Sequence, residues 1–72
     1  MDTVKRYEIV YDKFHKRWAF KPQGLPGALQ VAKTRAEVIE RACPICSNQP
    51  TVLRICNEDG VVEEERVFDA KG

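Results

Sequence analysis

No run of apolar residues in the chain approaches the roughly 20 that a helix needs to span a bilayer, which excludes a transmembrane helix. Residues 1–6, Met-Asp-Thr-Val-Lys-Arg, lack the apolar stretch of a secretory signal. The expected location is therefore the cytoplasm, the host's if a phage encodes the protein. Cysteine is scarce and odd in number, three in all, which argues against a disulfide framework. The net charge is only +1, far from the strongly basic balance that non-specific DNA binding usually needs. Internal repeats and low-complexity segments are missing too.

What is there suits a small folded chain. Of 72 residues, 43% are apolar and 32% charged, a balance for a well-solvated globule rather than a disordered segment. This length makes one domain, ordered over about residues 4–68, with residues 69–72 as a flexible tail. A domain so short buries only about 60% of the surface its unfolded chain exposes. Little room is left for both a core and a deep catalytic pocket, so we expect a binding protein rather than an enzyme. The charge is unevenly spread. Residues 1–41 hold nine Lys/Arg and five Asp/Glu; residues 42–72 hold three and six. Such polarity suits oriented docking on a charged partner.

Tyr7, Ile9 and Tyr11 recur with the period of two that marks a half-buried strand, and Trp18 and Phe20 share one face of a second strand over residues 17–21. Residues 12–16 form the turn between them. Pro22, Gly24, Pro26 and Gly27 make residues 22–27 a loop. Residues 28–32 read as a third strand with Leu29 and Val31 on one face. Thr34-Arg35-Ala36-Glu37 is a capping box that opens a helix, and Val38, Ile39, Ala42 and Cys43 form its apolar stripe. Pro44 is expected to end the regular helix near Cys43, with a ragged turn to Ser47. Residues 51–56 and 61–68 are the last hairpin, joined at Asn57-Glu58-Asp59-Gly60. A three-residue loop there would set Leu53 and Ile55 on one face with Val61 and Val67, and Arg54 opposite Glu64. The class is α+β: a curved antiparallel sheet of four to five strands with one helix packed on one face, in the order β-β-β-α-β-β. The expected core is Tyr7, Ile9, Trp18, Phe20, Leu29, Val31, Val38, Ile39, Ala42, Leu53, Ile55 and Val67.

Four stretches carry a resemblance. They are Trp18-Ala19-Phe20-Lys21, residues 34–42 from Thr34 through Ala42, Leu53-Arg54-Ile55, and residues 59–68 from Asp59-Gly60 to Val67-Phe68. In this order and spacing, over about residues 7–68, the chain resembles a family of small bacterial and phage domains of unknown function. The resemblance implies an α+β fold and names no catalytic residues. Cys43-Pro44-Ile45-Cys46 departs from the family pattern, which expects a longer, unbroken helix. Size, element order and the missing active site also resemble those of small phage-type transcription regulators. That likeness implies bacterial RNA polymerase as partner, inhibition of initiation and assistance of antitermination.

Three constellations bear on function. The basic residues Lys13, Lys16, Arg17 and Lys21, interleaved with Phe14, would meet an acidic patch of a protein partner; Glu63, Glu64 and Glu65 would meet a basic one. Leu25, between turn residues, would either anchor in a partner's pocket or cover an edge of the core. The same hairpin, residues 13–21, is the alternative nucleic-acid surface, weakened because Trp18 and Phe20 are needed inside. Cys43-x-x-Cys46 is half of a tetrahedral zinc site, but Cys56 and His15 would have to converge on it. As a redox pair it sits at the helix end whose dipole raises a thiol pKa. Packing of both cysteines is the favoured reading. No catalytic residue, metal or cofactor is expected, no membrane is involved, and the chain should be a monomer or weak dimer.

Overall fold

The protein is described by a computed structural model covering residues 4–69. Residues 70–72 of the expected tail lie outside the described residues. Alternating apolar residues build two long strands, β1 (Lys5–Asp12) and β2 (Arg17–Pro22), in an antiparallel hairpin that pairs Ile9 with Phe20 and Tyr11 with Trp18. A short β3 (Gln30–Ala32) pairs with β2, and α1 (Arg35–Cys46) follows. The chain ends in β4 (Thr51–Cys56) and β5 (Val62–Phe68). The element order is the expected β-β-β-α-β-β, and the class is α+β.

The sheet order is β3-β2-β1-β4-β5, and one of its four junctions is parallel: β1 lies beside β4 in the same direction. The expected all-antiparallel sheet is corrected here. β3 runs parallel to β1, and a 12-residue helix, about 18 Å long, carries the chain back to the end of the sheet where β1 begins. β4 must then run the same way as β1.

Thr34 caps α1 as its sequence demands: its hydroxyl accepts a hydrogen bond from the Glu37 amide at 3.2 Å. The helix runs through Pro44 to Cys46 rather than ending at Cys43. Pro44 removes only one bond near the helix end. Beyond it the Cys43 carbonyl accepts from the Ser47 amide at 2.9 Å and the Ser47 hydroxyl at 2.8 Å. The helix packs against β1–β4. Val38, Ala42 and Cys46 meet Ile9, Trp18, Phe20, Ala32, Leu53 and Ile55 in one buried cluster, with Tyr7, Tyr11, Ile39 and Phe68 at its margin.

Three expected core residues fall outside it. Leu29 is exposed and Val31 half-buried, because β3 presents Ala32, not Val31, to the helix. Val67 is 72% exposed. The three-residue loop does form, with the Asn57 amide donating to the Val61 carbonyl at 2.9 Å. A bulge then skips Glu63: Cys56 pairs with Val62 but Ile55 with Glu64, Leu53 with Arg66 and Arg54 with Glu65. Without the bulge, Glu63 and Glu65 would share the helix-covered face with Leu53 and Ile55. The shift replaces those two carboxylates with one Glu64–Arg66 ion pair and exchanges Val67 for Phe68 against the core.

Candidate partner-binding surface

Four residues, 13–16, connect β1 to β2, and Asp12 organises them. Its Oδ1 accepts from the amides of Phe14 at 3.0 Å and His15 at 3.2 Å, while Oδ2 pairs with His15 Nδ1 at 2.7 Å. The His15 ring and amide hold the Asp12 carboxyl below its usual range. Lys16 closes the turn with a left-handed φ of 54°. At the tip Phe14 is 89% exposed, edge-on to the His15 ring at 4.9 Å. Lys13 and Lys16 flank it, exposed and without an ion-pair partner among the described residues.

The other candidates part company with this tip. Lys21 is bound to Glu8 at 2.6 Å and donates to the Leu25 carbonyl at 3.1 Å. Leu25 is exposed, in a loop with Gly24 at φ 74° and Gly27 at φ 113°. That loop follows the far end of β2, about 20 Å from the tip, so Leu25 and Phe14 belong to different ends of the molecule. Glu63, Glu64 and Glu65 each face an arginine of the same chain. Glu63 meets Arg35 at 2.5 Å, Glu64 meets Arg66, and Glu65 meets Arg54 at 3.3 Å. The Arg35 guanidinium, helped by the Asn57 amide, holds the Glu63 carboxyl below its usual range. The acidic run is thus neutralised locally.

Two depressions open beside the tip. A cleft of about 680 Å³ lies between the start of α1 and the β4–β5 turn, lined by Trp18, Lys33, Thr34, Arg35, Asn57, Glu58 and Asp59. Arg35 stacks over the Trp18 ring at 5.9 Å. A smaller groove of about 320 Å³ runs along the β3 edge, lined by Arg17, Val31, Ala32, Lys33, Glu37 and Arg41. Lys33 and Arg41 were missing from the sequence-derived candidates. The β2–β3 register, which pairs Trp18 with Ala32, is what brings Lys33 into one groove with Arg17, and no local pattern announces it.

Trp18 and Phe20 are buried, so Phe14 is the one aromatic of residues 13–21 that can stack on a base. The cysteines and His15 do not converge. His15 is in the β1–β2 turn, Cys43 and Cys46 are in the last turns of α1, and Cys56 ends β4. Among the described residues no group of three or more His, Cys, Asp or Glu is placed to hold a metal ion. Cys46 packs in the core, where burial and the neighbouring Cys43 push its thiol up to about 11. No helix of the described residues is long and apolar enough to cross a membrane.

A family model described as "Uncharacterized protein conserved in bacteria (DUF2188)" matches residues 7–68. Comparison with curated proteins and with solved structures returns no match. The matched span includes β2, the capped helix and the last hairpin, the same stretches that carried the resemblance. The chain belongs to this family of uncharacterized bacterial proteins.

Proposed function

We propose that the chain is a non-enzymatic binding module that docks on a larger protein through the β1–β2 tip. The observation that carries this reading is Phe14, a large apolar side chain 89% exposed between two cations that no described residue neutralises. The hydrogen bonds of the turn use the Asp12 carboxylate and the amides of Phe14 and His15, and leave the Phe14 side chain exposed. A large aromatic held clear of the surface is the kind of residue that anchors interfaces by filling a partner's pocket. Lys13, Lys16 and Arg17 beside it suit an acidic rim on that pocket and would speed and orient docking.

The partner we propose, from the resemblance to phage-type transcription regulators, is bacterial RNA polymerase. In that role the module would inhibit initiation and assist antitermination. Binding of purified RNA polymerase is compared for the unaltered chain, Phe14→Ser, and a Lys13→Glu, Lys16→Glu double variant. Loss of affinity by about tenfold or more is expected for each variant, as for an interface anchor. Undiminished binding by Phe14→Ser would remove the tip as the docking site. Failure of the unaltered chain to bind would remove RNA polymerase as the partner.

A further inference from the structure

Arg17 Nε is buried and has no hydrogen-bond partner, a costly state for a guanidinium N–H. Its cross-strand neighbour Asp12 is spent on His15 and the turn amides. Glu37, the single carboxylate lining the β3 groove among the described residues, is held by Arg41 at 3.1 Å. Arg17 and Lys33 therefore face the groove with no described carboxylate to balance them. Val31 and Ala32 give the groove apolar lining, and β3 is an edge strand with no neighbour on its outer side among the described residues.

We propose that this groove binds an acidic, extended segment of a protein partner along β3, with a carboxylate on Arg17 and a second near Lys33. The chemistry follows from the guanidinium fork, which takes a carboxylate through two parallel N–H bonds. An exposed sheet edge next to it favours an extended peptide, whose side chains alternate toward and away from the groove. The inference rests on the reading that the partner is a protein and adds what part of it is held.

The test uses the full ¹⁵N-labelled chain. It is titrated with a capped hexapeptide alternating valine and glutamate, with its glutamine counterpart, and with inorganic phosphate. The expected result is a saturable shift of the Arg17 Nε–Hε signal and of the amides of residues 31–33 with the glutamate peptide alone. Arg17→Gln and Lys33→Glu should each weaken it about tenfold; Lys33 is exposed, so its variant serves even if Arg17→Gln fails to fold. No saturable shift at these signals, or an equal response to the glutamine peptide, would overturn the proposal. The same shifts with phosphate at lower concentration would also overturn it, in favour of a phosphate ligand. Failure here is separable from failure of the tip: retention of RNA polymerase by Lys33→Glu but not by Phe14→Ser sinks the groove alone.

Discussion

Asp12 decides where Phe14 points. A carboxylate one residue before the turn accepts two amides and one imidazole, so the loop is fixed without help from packing. The folded-state pKa of Asp12 lies below its usual value, chiefly through the His15 side chain and then its amide. A depressed carboxyl pKa contributes stability above the unfolded pKa and loses it as pH falls through the folded one. Amide shifts of Phe14 and His15 should accordingly hold steady on acidification until pH drops below about 3.9, the ordinary value for an aspartate. A transition at or above that value, followed by NMR, would show that the turn is not held this way. The residue scale is also where sequence reading fares best. Thr34 acts on an amide three positions away, and that capping box is visible in the letters; Asp12 acts as locally, though the sequence expectations hold it only as part of a turn.

At the scale of elements, legibility depends on whether an element's partner is close in sequence. The β1–β2 hairpin and the capped start of α1 are local and fall where the pattern puts them. The edge strands do not. Nothing in Val62-Glu63-Glu64-Glu65 says that Glu63 will be skipped, because the bulge is favourable only once Leu53 and Ile55 are under the helix. β3 likewise turns Ala32 inward, where it pairs with the buried Trp18 and meets the helix side of the sheet. Two substitutions test the register by denaturant unfolding. Leu53→Ala, at a fully buried site, should cost about 2–5 kcal/mol, whereas Val67→Ala should stay within about 0.5 kcal/mol. A loss of more than about 1 kcal/mol at Val67 would mean that the unbulged register, with Val67 in the core, is the populated one. The candidate surface follows the same rule. Lys13, Phe14, Lys16 and Arg17 are contiguous and legible, whereas the grouping of Arg17 with Lys33 and Arg41 waits on β2–β3 pairing.

Across the whole molecule, one helix on one sheet face uses up Ile9, Trp18, Phe20, Leu53 and Ile55, and five Lys/Arg–Asp/Glu ion pairs join charges on the rest of the surface. The opposite sheet face carries Glu8–Lys21 and Arg54–Glu65, and the last hairpin is tied to the helix by Arg35–Glu63. Exposed pairs such as Arg54–Glu65 and Arg35–Glu63 add little stability, about 0–1 kcal/mol each, but they take the acidic last hairpin out of play for a partner. Among the described residues without an ion pair, Lys13, Lys16, Arg17 and Lys33 lie at one end of the sheet, around the β1–β2 tip and the adjoining β3 groove. Measuring unfolding free energy and RNA polymerase affinity together for Phe14→Ser tests this division of labour most directly. The account predicts stability unchanged within about 0.5 kcal/mol and affinity lower by about tenfold or more. A variant that loses stability but keeps its affinity would contradict it.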